Sequence, residues 1–447
     1  MFVFQQKDLP KEPVFPADLE KLGYFINDQD QIRKIADPAE EFQFKINKNP
    51  RWNELQREAM NACIRNIVSV RLRNLGLVTL RLPLTSKSTE PYVPILVSKN
   101  LSTASRVIVV FGEPIQDLGI WAYRTVGTES IDAGSAIAFT RAVLSKNDKA
   151  SSSEKTALVL ANTGQLTWHC GTRQPMTLTS WMNMPRKSAV DPALVMTRRN
   201  NIPGNEYWQN HVDYVFEKIL AARGRLVKKD AKIGVIGLAD GGLGAIRYLA
   251  GHWESWRPYI SAICLGNPLQ LTSVDLGDNR DDPSSFASFV SSRCRSYVLS
   301  EAPMGMPVTS PLDHGCNCYS AGEALNLECI MPRARAHMLH WLEETFANPE
   351  LFEAKLEITE VNSDSVAEDS VARAAEGADR VFQVDEEGTT ELDSDRVVEV
   401  EAGRMTELSS DKVEEVDEER IQEVDSDKVE EGNAGNTTEV HDEESEN

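Results

Sequence analysis

Apolar and polar positions follow two rhythms along the first 350 residues. Short, continuous apolar runs rich in β-branched residues are bounded by turn residues, and longer segments with helical spacing of apolar positions lie between them. Runs without polar alternation are typical of strands buried on both faces of a largely parallel sheet. The predicted strands are residues 107–111, 157–160, 233–238, 262–265 and 297–299.

Helical spacing of apolar residues predicts the elements between these strands. Before the first helix, residues 23–46 alternate like a pair of short strands joined by a polar turn. Strands that alternate with helices predict one α/β domain over residues 15–350, long enough to bury a large core without disulfides or metals. The predicted helices are residues 52–72, 207–222, 243–250 and 334–346.

The composition changes sharply after about Leu356. The chain has 47 Lys and Arg against 69 Asp and Glu, a net charge of −22, whereas residues 351–447 alone have a net charge of about −25. This region also contains a degenerate repeat with a period of 16 residues, as in residues 391–400 and 407–416. We predict a disordered acidic tail at residues 351–447, with a solvating role favoured over repeated docking segments.

The first 350 residues are close to neutral, which gives no sign of a dominant surface for wrapping phosphate backbone. Met1–Lys7 lacks the charged and apolar stretches of a secretory signal, and no apolar run is long enough to cross a membrane. The 7 scattered cysteines are expected to be reduced thiols. We therefore expect a nuclear or cytosolic protein that is neither secreted nor bound to a membrane.

A Gly-rich turn between a predicted strand and a predicted helix is the most informative segment. Its glycines do not fall at the G-x-G-x-x-G spacing of a dinucleotide site. The pentapeptide Gly237-Leu238-Ala239-Asp240-Gly241 fits the G-x-Nu-x-G frame of a nucleophile elbow at every position except the centre. Ala239 stands where the nucleophile belongs, and a methyl group cannot attack a carbonyl.

Two other interpretations of this turn remain open. A register shifted by one residue puts Asp240 at the centre, where a carboxylate could act as nucleophile, but Leu238 then occupies a position that needs a small side chain. Gly-rich strand-to-helix turns without any catalytic function are also common.

Several blocks, taken in order, resemble the Argonaute-binding protein two family, which includes vertebrate cotranscriptional regulators and a C-terminal domain of some fungal histone deacetylases. The resemblance implies an α/β-hydrolase-like three-layer sandwich with a mostly parallel central sheet. It also implies a role beside Argonaute in small-RNA-directed heterochromatin. The matching blocks are Gly23-Tyr24, Phe25-Ile26-Asn27, Gln31-Ile32-Arg33, Arg51-Trp52-Asn53, residues 107–112, 119–124, 132–135 and 237–243, and Ser320-Ala321-Gly322.

This chain departs from the family pattern where chemistry is expected. Relatives keep His-Gly after the strand that ends at Phe111-Gly112, a Ser in place of Ala239, and a His shortly after the segment matching Ser320-Ala321-Gly322. Residues 323–328 contain no His. The favoured hypothesis is therefore a non-catalytic adaptor without a cofactor, with Argonaute and a second Argonaute-binding subunit as partners and small RNA bound only indirectly. The alternative is a hydrolase of esters or similar substrates with Asp240 as nucleophile and His337 as base.

Three further candidates are weighed against plainer interpretations. His337 and His340, three residues apart on a predicted helix, are favoured as ordinary structural histidines. His314, Cys316, Cys318 and Cys329 supply zinc-type donors without the usual spacing, so buried thiols are favoured over a metal site. The basic stretches at Arg198-Arg199 and residues 223–232 lack interleaved aromatics, which favours solvated loops over an RNA groove.

Overall fold

A computed structural model describes residues 11–87, 89–147, 155–188, 190–277 and 281–356. The elements below all belong to one compact unit, residues 1–359. Residues 357–447 of the predicted acidic tail, which include its repeats, lie outside the described residues. In the part of the chain that is described, no helix combines the length and apolarity that crossing a membrane requires.

A central sheet of eight strands, accompanied by two short antiparallel pairs, organises the described residues. All five predicted strands are confirmed as strands of this sheet, and each begins one to three residues earlier than predicted. The strands are β1 (Tyr24–Ile26), β2 (Ile32–Lys34), β3 (Leu77–Leu82), β4 (Val93–Ser98), β5 (Arg106–Phe111), β6 (Thr156–Leu160), β7 (Thr167–His169), β8 (Gln174–Met176), β9 (Lys232–Leu238), β10 (Ile260–Gly266), β11 (Cys294–Val298) and β12 (Asn317–Ser320).

The strand order in the central sheet is β12-β11-β10-β9-β5-β6-β4-β3. The six strands from β12 to β6 are parallel to one another, whereas β4 is antiparallel to both β6 and β3. The predicted pair of short strands at residues 23–46 is confirmed as β1 and β2. The end of the sheet at which the parallel strands begin is called the amino edge. The end at which they finish is called the carboxyl edge.

The predicted helices are confirmed, and most are longer than predicted. The predicted helix at residues 207–222 consists of an α-helical part and a π-helical part, Val215–Leu220. The α-helices are α1 (Leu19–Leu22), α2 (Pro50–Asn74), α3 (Tyr123–Thr128), α4 (Ala136–Asn147), α5 (Leu178–Met182), α6 (Trp208–Tyr214), α7 (Ala239–Trp256), α8 (Phe286–Arg293) and α9 (Ile330–Ala347).

Helices cover both faces of the sheet, so the molecule has three layers. Along β5, Val107 and Val109 belong to the core beneath α6, α7 and α8, and Ile108 and Val110 belong to the core beneath α2, α4 and α9. Because alternate residues of one strand are buried on opposite faces, the strand sequences are apolar throughout. This confirms the α/β interpretation of the apolar runs.

The folded part continues a few residues beyond the predicted boundary at 350. The buried Arg293 guanidinium donates to the carbonyls of Pro349 and Leu351 at 2.8 and 2.7 Å. Arg295 pairs with Glu353 at 2.8 Å, and the Leu356 N–H donates to the Asn317 side chain. These contacts hold the last described residues against β11 and β12 at the amino edge.

Candidate functional site

The strand-to-helix turn between β9 and α7 has the backbone of a nucleophile elbow. Ala239 adopts φ +44°, a left-handed conformation that is strained for a residue with a Cβ. In a nucleophile elbow, the strained conformation of the central residue holds its side chain above the end of the sheet. The geometry therefore puts Ala239, not Asp240, at the centre of the elbow.

The glycines on either side of Ala239 are required by close packing. A Cβ on Gly241 would lie 2.2 Å from the Gly112 carbonyl oxygen, and a Cβ on Gly237 would lie 2.3 Å from the Gly242 Cα. The first contact brings the elbow against the loop after β5, and the second brings β9 against α7. Close packing therefore explains why both outer positions of the G-x-Nu-x-G frame are glycine, as the sequence pattern indicated.

The loop after β5 lies where the fold would place half of an oxyanion hole. The Glu113 N–H donates to the Gln116 side-chain oxygen at 3.1 Å, and the Gln116 amide nitrogen donates to the Trp121 carbonyl at 2.9 Å. Thr163 donates its hydroxyl proton to the Gly112 carbonyl at 2.6 Å. Since the Glu113 N–H already has an acceptor within the protein, it is not free to stabilise an oxyanion.

A buried polar cluster fastens the same loop to α2. The Asp117 carboxylate accepts from Tyr123 at 2.6 Å, from Arg65 at 3.1 Å and from Gln165 at 2.8 Å. Arg65 also pairs with Glu58 at 2.6 Å. Burial raises the pKa of the Tyr123 hydroxyl well above its usual value, and the Asp117 charge raises it further. The loop is therefore rigidly held, by residues that sequence reasoning did not single out.

Asp240, the alternative nucleophile, is the second residue of α7 and is partly buried. Burial raises the pKa of its carboxyl, and its own N–H and Arg247 act in the opposite direction. Within the described residues, neither a hydrogen bond nor an ion pair joins the Asp240 carboxylate to a histidine. A nucleophilic carboxylate needs a base to activate the water that hydrolyses its ester, and none is paired with Asp240 here.

The resemblance implies a histidine shortly after β12, but residues 323–328, which begin with Glu323, contain none. The Glu323 carboxylate accepts from the N–H groups of Leu325 and Asn326 at 3.0 and 3.1 Å. Desolvation alone would raise the pKa of the Glu323 carboxyl, but these hydrogen bonds outweigh it and hold the pKa below the usual value. Glu323 therefore closes a turn as an ionised carboxylate and is poorly suited to act as a base near neutral pH.

His337 lies on α9 against the end of β11. Its Nδ1 shares a hydrogen bond of 2.8 Å with the Tyr297 hydroxyl, and a Cβ on Gly305 would lie 2.9 Å from its Nε2. Burial lowers the pKa of His337, and the charge of Arg295 lowers it further. Tyr297 of β11 pairs with Gly266 of β10, which pairs with Leu238 of β9. The end of β11 is therefore about 10 Å from the end of β9, where the elbow begins. His340 is exposed and faces Glu344 at 3.4 Å.

The zinc-type donors lie in separate surroundings. His314 is buried, and its Nδ1 donates to the Gln270 carbonyl at 2.9 Å. The Cys316 thiol contacts the Ser296 hydroxyl at 3.0 Å, and the Cys329 thiol contacts the Thr125 hydroxyl at 3.3 Å. Among the described residues, no group of three or more His, Cys, Asp or Glu side chains is placed to hold a metal ion.

Two of the surface pockets on the described residues lie away from the elbow. A cavity of about 560 Å³ lies beside β3 and β4 and is lined by Arg73, Arg81 and Tyr92, among others. A cavity of about 390 Å³ lies between α2 and α4, where Arg71 pairs with Asp30 at 2.7 Å. Neither pocket contains Ala239, a residue of the loop after β5, or His337.

The strand order and the strained turn after the fifth strand of the central sheet define an α/β-hydrolase-like domain. The chain belongs to the Arb2 domain family, whose match covers residues 15–304. The family resemblance inferred from the ordered sequence blocks is thereby confirmed.

Two curated relatives and two solved structures are similar to parts of the chain. The cotranscriptional regulator ARB2A of Homo sapiens and that of Mus musculus are each 28% identical to it over 131 residues, 28% of this chain and 31% of each relative. The chain thus matches about a third of those proteins. A histone deacetylase from Saccharomyces cerevisiae aligns with a TM-score of 0.36 at 16% identity, over 63% of this chain and 95% of the other. The esterase Est22 aligns with a TM-score of 0.29 at 13% identity, over 66% and 90%.

Proposed function

We propose that this protein is a non-catalytic adaptor that regulates gene expression in the nucleus. The observation that carries the non-catalytic part is Ala239 at the strained centre of the elbow. The strain of a nucleophile elbow is retained without the side chain that makes it useful for catalysis. The fold then serves as a scaffold whose surface binds other proteins.

Two further features of the site support the absence of hydrolase chemistry. Residues 323–328, where the resemblance implies a histidine, contain none, and the Glu113 N–H is bonded to the Gln116 side chain. An acyl-transfer site needs a nucleophile, a base within hydrogen-bond reach and free donors for the oxyanion. The proposal is that all three parts are missing together.

The regulatory context of the proposal rests on family membership. The curated relatives are named cotranscriptional regulators, and we extend a role in transcription or chromatin to this chain. Within that role, the resemblance implied by the sequence blocks favours an Argonaute-containing complex in small-RNA-directed heterochromatin formation. The proposed partners are Argonaute and a second Argonaute-binding subunit, with guide RNA brought by Argonaute.

A tagged pull-down from the native organism tests the proposal. Wild type is compared with the Ala239→Ser, Asp240→Asn double variant, with partners identified by mass spectrometry and bound RNA by sequencing. We expect Argonaute and small RNA to co-purify equally with both proteins, because the elbow serves only as scaffold. Turnover of a short-chain ester by the same purified proteins is expected to stay at the background rate.

Each part of the proposal has its own contradicting result. Wild type that brings down neither Argonaute nor small RNA would rule out the proposed complex. Ester turnover by wild type that disappears in Asp240→Asn would instead establish the hydrolase with Asp240 as nucleophile. A tag-only strain is the control for both partner readouts.

A further inference from the structure

Cations from five neighbouring strands line the amino edge of the sheet. In spatial order along β4, β6, β5, β9 and β10, each strand carries a Lys or Arg at or within three residues of its end on this edge. We name these residues the basic row. They are Lys99, Lys155, Arg106, Lys232 and Arg257.

Backbone register and side-chain bonds show that the basic row is continuous. Arg106 is in direct register with Lys232 and with Thr156, the residue after Lys155. Asn100, next to Lys99, donates its side-chain amide to the Thr156 carbonyl at 3.4 Å. Four steps between adjacent strands span about 19 Å.

The side chains of the basic row present their charge to solvent. Lys99, Lys155, Lys232 and Arg257 are exposed, and Arg106 is half-buried with its guanidinium 5.7 Å from the Phe346 ring. The Lys232 ammonium donates to the Pro258 carbonyl at 2.6 Å, and that contact holds the side chain without neutralising its charge.

Two more lysines widen the row, and few carboxylates offset it. Lys228 donates to the Ser105 hydroxyl at 2.8 Å beside the start of β5, and Lys229 is exposed next to it. Asp230 lies 3.7 Å from Lys228, and Asp282 lies near enough to Arg257 to be affected by its charge. The edge therefore keeps a net positive charge, although the first 350 residues as a whole are close to neutral.

We propose that the basic row binds the phosphodiester backbone of double-stranded nucleic acid, independently of base sequence. One strand of a duplex presents a phosphate about every 3.4 Å along the axis, so 19 Å of cations faces about five phosphates. This activity goes beyond the proposed adaptor function and does not depend on it.

The surroundings of the row favour a duplex over the other anionic partners. None of the large exposed apolar side chains of the described residues lies in residues 99–106, 155–156, 228–232 or 257–260, whereas a protein interface has an apolar centre. Single-stranded nucleic acid is bound largely by stacking on exposed aromatic rings. Tyr259, the aromatic residue in these segments, is half-buried, and its ring is covered by the Arg223 guanidinium at 3.4 Å.

The test compares two triple variants of the full chain. Lys99→Ala, Lys155→Ala, Arg257→Ala removes three exposed cations of the row. Lys45→Ala, Lys48→Ala, Lys187→Ala removes three lysines that are also exposed and lie near the start of α2, where Arg51 bonds to the Met184 carbonyl. The 25-residue helix α2 carries the chain from there to β3 at the amino edge, about 37 Å away. Equal thermal unfolding of the three proteins shows that the fold is intact.

Binding is measured by fluorescence anisotropy on duplexes of about 20 base pairs, DNA and RNA, from about 50 to 200 mM salt. We expect the row variant to bind at least about tenfold more weakly, with a log–log salt slope smaller by about 2.7, because three phosphate contacts are lost. The control variant should match wild type. Binding of either duplex supports the proposal, and the tighter one identifies the source of the phosphates.

Three outcomes would overturn the proposal. The first is wild type that binds neither duplex, and the second is a row variant whose salt slope equals that of wild type. The third is displacement of the duplex by a polyglutamate peptide of equal charge, together with weaker peptide binding by the row variant. That result would assign the row to an acidic protein partner.

Discussion

At the level of single residues, the elbow keeps the strained backbone of a nucleophile position but has no nucleophilic side chain there. Ala239 has the left-handed backbone of a displayed nucleophile, and Gly237 and Gly241 have the close contacts that such a turn requires. The left-handed region costs a residue with a Cβ about 1 to 2 kcal/mol, which the surrounding packing must offset. The turn is therefore held by its neighbours, above all by the contact of Gly241 with the Gly112 carbonyl.

Two glycines of α7 allow a test of how the turn is held by its neighbours. Gly241→Ala would put a methyl group 2.2 Å from the Gly112 carbonyl oxygen, whereas a Cβ on Gly251 meets nothing within 4 Å. We expect Gly241→Ala to lower the free energy of unfolding by about 2 to 4 kcal/mol, because backbone must move. Gly251→Ala should leave it unchanged or raise it by up to about 1 kcal/mol through helix propensity. Urea unfolding measures both, and equal values for the two variants would contradict the packing argument.

At the scale of elements, a buried histidine links α6 to the loop after β6. The His211 Nε2 accepts from the Asn162 N–H at 3.0 Å, so its Nδ1 carries the proton and donates to Asn205 at 2.7 Å. Both ring nitrogens are used by the neutral imidazole, and burial lowers the pKa of His211 to about 3. The contact positions α6 over β6 and gives the fold a dependence on pH.

The sign of that dependence follows from the two pKa values. Since the folded pKa of about 3 lies below the unfolded value of 6.5, the unfolded chain takes up the proton first as the pH falls. The stabilisation is complete above pH 6.5 and is lost at up to about 1.4 kcal/mol per pH unit below it. We expect His211→Gln, which lacks this titration, to show a shallower fall in the free energy of unfolding between pH 6 and pH 4. Parallel pH curves for the two proteins would contradict the assignment.

At the scale of the whole molecule, charge is distributed very unevenly. Residues 351–447 have a net charge of about −25, more negative than the −22 of the whole chain, and the basic row gathers cations at one edge of a body that is nearly neutral. Salt shortens the range of both fields, so binding that relies on either one must weaken as ionic strength rises. We expect the acidic region to bind a basic partner and the basic row to bind an acidic one. The two kinds of binding can be tested separately.

The acidic region is tested by deleting residues 357–447, which keeps Leu356 and its hydrogen bond to Asn317. We expect the full chain to bind a polylysine peptide of about 20 residues with strong salt dependence, and the shortened chain to bind it at least about tenfold more weakly at low salt. A full-length chain with the acids of 357–447 changed to amides separates charge from length. Affinity that does not vary with ionic strength in any of the three proteins would exclude an electrostatic role.

The local features of this protein could be predicted from its amino-acid sequence. Continuous apolar runs predicted the strands, and the spacing in Gly237-Leu238-Ala239-Asp240-Gly241 predicted the elbow with its missing nucleophile, because both depend on neighbours along the chain. Strand β12 escaped prediction because its four residues, Asn317–Ser320, lack a β-branched apolar run. Strands β3 and β4 were not predicted either, because Thr79 and Arg81 interrupt the apolar run of β3 and Pro94 interrupts that of β4.

Contacts between residues that are distant along the chain depend on the tertiary fold. Asp117 bonds to Arg65 across 52 positions of the chain, His337 meets Tyr297 instead of pairing with Asp240, and the basic row collects cations from five separate strand ends. Pairings of this kind carry no periodic signal, since they depend on strand order and register. The physical reason is that residue spacing along the chain determines the local secondary structure, whereas strand order and register in the sheet determine which segments become neighbours.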